Sequence, residues 1–329
     1  MSKIINVILS GGVGSRLWPL SRKSKPKQYL PIFEGKTLFE LTVERNQPLS
    51  SQTLLVGSKQ NKDLAKPFLT QVPHEIIAES VPRNTAAAIA FAAFQADPDD
   101  ILIVTPSDHL IENQEAYQEA INQGIVFAQE GFIATFGIIP ERPETGYGYI
   151  EHDGNTVLSF REKPNEETAR DFIKKGSFLW NSGIFCFKAG VYLEELMHFE
   201  PKLYSSAEVA FEYAADLELD VEHSQLIPSK SIDYAVLERS ELIKVVPARF
   251  NWSDMGAFDS LFSYFKEKGH PVDERGNIVV GSQVHTVFVG LSNCMLINTA
   301  DAVLVLDRAK AQDVKQVYEL LEKENSALV

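Results

Sequence analysis

Ile4-Ile-Asn-Val-Ile-Leu9 runs into Ser10-Gly-Gly-Val-Gly-Ser-Arg16, and this passage from an apolar run to a glycine-rich turn decides the fold. The run has strand length, and the turn offers backbone N–H groups with a guanidinium directly behind them. Working outward, the apolar runs 53–56, 75–78, 101–105 and 133–137 each end in turn residues and predict further buried strands. Between them, 38–45, 61–69, 85–95 and 116–129 carry apolar residues at helical spacing, with Asn84 or Thr85 as the N-cap of an alanine-rich helix. Strand and helix in alternation predict an α/β protein whose mainly parallel sheet is covered on both faces. Such sheets bind ligands beyond the carboxyl ends of their strands. The glycine turn (Gly11, Gly12, Gly14, Ser15), Glu79-Ser80 and Ser107-Asp108 all fall at those ends, so three loops are expected to converge on one crevice.

Charge says what the crevice takes. Residues 1–33 hold six Lys or Arg and no Asp or Glu, whereas 34–329 carry 25 basic against 45 acidic residues. A positive patch in a repelling field selects a small polyanion docked in a cleft; a nucleic acid would need a basic stripe that is missing here. Polyphosphate is the first candidate. At 329 residues and 44% hydrophobic, the chain can form one large domain and a smaller one. Cys186 and Cys294 are too few and too separated for a zinc cluster or disulfide scaffold, and both are expected to be buried and reduced. Neither a cleavable leader nor an apolar run of membrane-spanning length is read in the sequence, so the expected compartment is the cytoplasm, with no membrane partner.

Beyond residue 140, strands are predicted at 147–151, 157–162 and 178–187, extending the same sheet, with helices at 166–175, 191–199 and 204–217. Short strands with Gly and Asn turns follow over 277–306, and an amphipathic helix at 312–323 closes the chain. Gly269 and Pro271 mark a boundary near 268–273, which gives a catalytic domain over 1–268 and a small β-rich domain over 269–329.

The glycine turn fits some phosphate-binding designs and excludes others. A dinucleotide fingerprint needs a third glycine where Leu17 stands, and Pro19 breaks an early helix, so a dehydrogenase is excluded. No Gly-Lys-Ser or Gly-Lys-Thr string of an ATPase phosphate loop occurs. What remains is an open turn followed by Arg16 and Lys27.

Gly11-Gly-Val-Gly-Ser-Arg-Leu-Trp-Pro-Leu-Ser-Arg22 and Pro26-Lys-Gln28 resemble the signature of the sugar-1-phosphate nucleotidylyltransferases, in particular the mannose-1-phosphate guanylyltransferases. The resemblance continues through Arg83-Asn-Thr85, Pro106-Ser-Asp-His109, Thr145-Gly-Tyr-Gly-Tyr149, Glu162-Lys-Pro164, Asn181-Ser-Gly183, Ser231-Ile-Asp-Tyr-Ala235 and Trp252-Ser-Asp254, covering the first 260 residues or so. It implies a Rossmann-like catalytic domain with a small C-terminal β-helical segment. It also implies the substrates GTP and mannose 1-phosphate, the products GDP-mannose and pyrophosphate, and Mg2+ as cofactor.

The residues suit that chemistry. A sugar phosphate attacking the α-phosphorus of a triphosphate, in line with departing pyrophosphate, builds charge on oxygens at both ends. Arg16 is placed to neutralise the triphosphate, and Lys27 to hold the α-phosphate or the incoming phosphate. A phosphate monoester is already largely ionised near neutral pH, so no side-chain base is needed. Family aspartates matching Asp108 and Asp254 hold the metal; a turn residue and a helix N-cap ahead of 255–265 are the alternative readings. Glu79 can accept from the N1–H and exocyclic amine of guanine, and family position adds Asn84, Thr85 and Ser107 to the nucleotide side. For the sugar phosphate, Gly146 and Tyr147 leave backbone open, Glu162 and Asn181 can bond hydroxyls and Lys163 can meet the phosphate. Trp180 and Trp252 are assigned to the walls.

Longer relatives add a cupin-type isomerase domain, and a chain stopping at Val329 is expected to be monofunctional. The C-terminal segment implies a homodimer contact, although its run between Gly281 and Gly290 is shorter than the family pattern. The competing readings are a nucleotidylyltransferase for another base and hexose phosphate, and a non-catalytic nucleotide-sugar sensor on the same fold.

Overall fold

A computed structural model describes residues 2–329, which form two compact units. The first takes the chain up to Gly11 with Thr42–Ser107 and Ile111–Trp252; the second takes Gly12–Leu41, Asp108–Leu110 and Ser253–Val329.

In chain order the first unit and its borders contain strands β1 (Ile4–Ser10), β2 (Gln52–Ser58), β3 (His74–Glu79), β4 (Ile101–Pro106), β5 (Leu110–Glu112), β6 (Ile133–Ile138), β7 (Gly148–Asp153), β8 (Thr156–Glu162), β9 (Phe178–Lys188), β10 (Ile243–Ala248) and β11 (Asn251–Ser253). Its helices are α1 (Leu38–Asn46), α2 (Lys59–Leu69), α3 (Asn84–Gln95), α4 (Gln114–Gln129), α5 (Glu166–Lys175), α6 (Ala189–Phe199), α7 (Pro201–Glu212) and α8 (Val221–Leu226). Nine strands make one sheet in the order β3-β2-β1-β4-β9-β6-β10-β8-β7.

Strands β3, β2, β1 and β4 are mutually parallel, and their registers bring Ser10, Glu79 and Pro106 to one edge. The second half departs from the parallel expectation. β9 runs antiparallel between β4 and β6, and the β7–β8 hairpin closes the far edge. An apolar run reports burial and not direction, so nothing in the sequence of β9 announces the reversal.

Period-2 alternation divides the core. Leu102 and Val104 of β4 face the cluster built on α3, α6 and α7, while Ile101 and Ile103 face the cluster on α4. Residues 86–93 of α3 are all buried, and their small alanines let the helix lie close to the sheet. Caps set several boundaries. Asn113 accepts from the Ala116 N–H at 3.1 Å and starts α4 two residues earlier than its apolar pattern indicates. α7 stops at Glu212 instead of 217, just ahead of Asp216 and Leu217 at φ 52° and 59°, which no helix accommodates. Neither Asn84 nor Thr85 caps α3: Arg83 holds that position, Asn84 bonds only its neighbour Thr85, and the Thr85 hydroxyl accepts from the Ile232 N–H at 2.9 Å.

The second unit adds α9 (Phe258–Glu267), parallel strands β12 (Ile278–Val280) and β13 (Cys294–Asn298), antiparallel β14 (Val303–Asp307), and α10 (Val314–Lys323). Its core joins Leu17, Trp18, Phe33 and Leu38 to Phe258, Met295, Ile297 and Tyr318. Among the described residues no helix is long and apolar enough to cross a membrane, and both cysteines are free and buried.

One buried polar network pins the first unit together. Asn46, fully buried at the end of α1, donates to Asn6 Oδ1 of β1 (2.9 Å) and Thr105 Oγ1 of β4 (3.1 Å), and accepts from the Tyr117 hydroxyl of α4 (2.7 Å). Asn46→Ala strands all three partners, and urea denaturation should show a loss of about 2–4 kcal/mol.

Candidate active site

A hollow of about 340 Å³ in the second unit is lined by Gly12, Gly14, Arg16, Lys27, Asp108 and Asp254, together with Lys315 of α10. Local sequence builds it. Gly14, at φ +77°, opens a single 3-10 turn over Ser15–Leu17, and the Ser21 hydroxyl returns to the Gly14 carbonyl at 2.6 Å. Pro26 then starts a second such turn, Lys27–Tyr29, whose first N–H donates to the Val13 carbonyl at 3.0 Å. The Lys27 backbone is thereby laid against the glycine turn, so closely that a Cβ on Gly14 would stand 2.5 Å from Lys27 Cβ.

The side chain of Lys27 is almost fully buried, and its ammonium reaches Asp108 Oδ2 at 2.8 Å and the Asp254 carbonyl at 2.6 Å. One nitrogen therefore gathers two aspartates that lie 146 positions apart in the chain. Burial drives the Asp108 carboxyl upward, but Lys27 and then His109, 3.8 Å away, outweigh it and leave Asp108 below the ordinary aspartate value, hence ionised. Asp254 is no helix cap, because α9 begins at Phe258 behind Ala257. Its Oδ1 accepts the Gly256 N–H at 3.1 Å across buried Met255, a non-glycine residue held at φ 45°. A Cβ at Gly256 would fall inside contact distance of Asp254 Oδ2. Arg16 is exposed and makes no ion pair among the described residues.

At the carboxyl edge of the first unit's sheet, Glu79 is buried with Oε1 unpartnered, and its carboxylate accepts the Arg83 N–H. Burial, partly offset by that bond, pushes its pKa up to about 7. Ser107 is likewise buried with an unpartnered hydroxyl.

The expected sugar-phosphate residues also assemble within the first unit. Gly148 pairs with Glu162 across β7 and β8, and the Lys163 N–H donates to the Tyr147 carbonyl at 3.3 Å. Lys163, itself at φ 49°, turns its ammonium onto the buried Glu162 carboxylate. Asn181 donates to Asp233 Oδ1 (2.9 Å) and accepts from Thr135 (3.1 Å). Gly146 is exposed, its N–H bonded to Glu144, and Tyr147 packs edge-on against both Trp180 and Trp252. Asp233 has no role in the sequence reading although it lies in a quoted block. It sits in a π-turn over Asp233–Leu237, with a pKa pushed up to about 6 by burial and then by the Glu162 charge. Lys315 also escapes that reading, since it belongs to no motif.

The nucleotidyl transferase family model matches residues 5–269, and a mannose-phosphate isomerase/GMP-like β-helix domain model matches 271–321. Mannose-1-phosphate guanylyltransferase of Salmonella muenchen is 37% identical over 99% of this chain and 75% of its own length. The chain belongs to the mannose-1-phosphate guanylyltransferase branch of the nucleotidyl transferases. Mannose-1-phosphate guanylyltransferase 2 of Escherichia coli O157:H7 is 39% identical over 97% of this chain and 73% of that protein. The crystal structure of mannose-1-phosphate geranyltransferase from Thermus thermophilus superposes with a TM-score of 0.85 at 34% identity, covering 97% of this chain and 99% of that one. The two family-model matches thus divide this chain into a nucleotidyl transferase domain and a following β-helix-type segment.

Two outcomes follow for this site. A raised carboxyl pKa stabilises the fold below the unfolded value near 4.5, and that stabilisation is lost as pH rises through about 7. Glu79→Gln should therefore gain on the parent protein by about 2–3 kcal/mol between pH 5 and pH 8 in urea titrations. Gly256→Ala should displace the Asp254 carboxylate, lowering turnover about 100-fold while the melting temperature shifts by only a few degrees.

Proposed function

We propose that the chain transfers GMP from GTP to α-D-mannose 1-phosphate, forming GDP-mannose and releasing pyrophosphate. The observation that carries this reading is the Lys27 ammonium held between Asp108 and Asp254 beside the glycine turn. An ammonium has three donors. Two are spent on the aspartates, and the third serves a phosphate oxygen at the α-phosphorus. The sugar-phosphate oxygen forms its bond to that phosphorus as the bridge to the β-phosphate breaks, and the leaving electron pair stays on pyrophosphate. Arg16, with no ion pair among the described residues, balances charge on the departing group, while the Gly12–Gly14 backbone cradles the chain of phosphates. Holding two mutually repelling anions in line supplies much of the acceleration.

Asp108 and Asp254 fit a divalent cation. Both line the hollow, both offer hard oxygen donors, and Asp108 is ionised. Magnesium is the assigned ion, because it binds through one or two carboxylates and completes its shell with water and substrate phosphate; bound there, it would neutralise phosphate charge.

Glu79 reads the base. Its unpartnered Oε1 and the oxygen beside it accept from guanine N1–H and the exocyclic amine, a pair that neither adenine nor the pyrimidines present. Ser107, Asn84 and Thr85, in the same unit as Glu79, are assigned with it to the nucleoside. Glu162, Asn181 and Lys163, with Gly146 and Tyr147, receive the mannose hydroxyls and phosphate, and Asp233 holds Asn181 in position. The site residues span 1–268, with 269–329 as the accessory β domain. A homodimer fits the exposed Val284, Val287 and Val289 of that domain. Two soluble phosphorylated substrates fit a cytoplasmic reaction.

A pyrophosphate-release assay over a grid of nucleoside triphosphates and hexose 1-phosphates tests the reading, with the GTP and mannose 1-phosphate pair expected to dominate. Lys27→Ala should cost about 1,000-fold in kcat/KM, and Asp108→Asn or Asp254→Asn should abolish magnesium-dependent turnover. Full activity in any of the three removes that residue from its role. Glu79→Gln should narrow the preference for GTP in direct competition with ATP.

A further inference from the structure

We propose that Lys315, on the C-terminal helix α10, is a substrate-contacting residue that binds the β- and γ-phosphates, the portion of the nucleotide that leaves as pyrophosphate. The inference rests on the transferase reading above and extends it to a part of the chain outside every signature block.

Three observations carry it. Lys315 lines the same hollow as the glycine turn, Arg16, Lys27 and the two aspartates. Its orientation follows from helical spacing: residues 315, 318 and 322 share one stripe. Tyr318 is buried in the core with Leu17 and Trp18, and Glu322 pairs with Lys23 at 2.6 Å, so the stripe faces the N-terminal signature. The tail beyond α10 holds the helix there, since Trp18 Nε1 donates to the Leu328 carbonyl at 2.8 Å and Arg22 bonds the same carbonyl.

Charge then decides that the residue matters. Among the side chains that line the hollow, the formal charges of Asp108 and Asp254 offset those of Arg16 and Lys27, so Lys315 supplies the one cation in excess of the carboxylates. Its present partner is Glu319, 3.3 Å away and one helical turn on, with both side chains about half exposed. Such a solvent-exposed pair is weak, so a pyrophosphoryl group can displace Glu319. Arg16 and Lys27 come from the two N-terminal turns; Lys315 is the cation supplied from a separate element, α10.

Pyrophosphorolysis of GDP-mannose tests this, because GDP-mannose lacks the groups that Lys315 is assigned and pyrophosphate consists of them. Lys315→Ala should raise KM for pyrophosphate about 10-fold and leave KM for GDP-mannose within twofold, with Lys315→Arg recovering most of the loss. Equal changes in both constants, together with a lower melting temperature, would mean that the side chain only packs the helix, and unchanged constants would equally overturn the proposal. Should the parent protein fail to cleave GDP-mannose, the transferase reading falls. Calorimetric titration of inorganic pyrophosphate with MgCl2 into parent and Lys315→Ala protein still decides the inference: a 10-fold weaker affinity in the variant supports it and equal affinities reject it.

Discussion

A single buried ammonium organises the hollow beside the glycine turn. Lys27 is worth burying only because Asp108 and the Asp254 carbonyl meet it at 2.8 and 2.6 Å; a lysine taken out of water without such partners would cost several kcal/mol or lose its proton. The dependence is mutual. Asp108 stays ionised against its burial through Lys27, and the turn carrying Asp254 is fixed at a strained Met255 and a glycine that leaves room for the carboxylate. The glycine turn presses on the lysine backbone from the other side, so the anion cradle and the aspartates are set by the same residue.

The first unit treats its polar groups differently. Glu79 and Ser107 are buried with atoms left unpartnered, while Asp233, half-buried, accepts from Asn181 near the like charge of Glu162. Unsatisfied buried groups are uncommon in folded proteins because each forfeits the solvation it had in water. Glu79 and Ser107 both lie at the carboxyl ends of the parallel strands, whereas Asn46 has its amide and carbonyl groups bonded to three buried partners.

Much of this is legible in the sequence, for identifiable reasons. The runs at β1 through β4 are apolar on both faces, and α5 can be read to its boundaries because Asn165 and Gly176 supply its cap and its stop. Gly12 to Arg16, Lys27, Asp108 and Asp254 all stand out as candidates, and the structure gathers them around one hollow. The losses have physical causes. β10 escapes notice because Lys244 and Pro247 interrupt its apolar pattern. The antiparallel course of β9 leaves no trace in composition. Residues 12–41 pack with the C-terminal portion of the second unit although they lie more than 200 positions before it in the chain, a tertiary association that turn residues cannot announce. Lys315 looks like any lysine on an exposed helix face until the tertiary packing of α10 is known.

The cradle is assembled from chain segments that are remote in sequence: the bond from Lys27 to the Asp254 carbonyl closes a loop of 227 residues. Closing so long a loop is entropically slow and gains nothing until both ends exist. During translation, all of β1 through β9 leave the ribosome before the turn that carries Asp254 exists. The hollow is thereby incomplete until synthesis has passed residue 254, and a product terminated earlier would lack one of its walls.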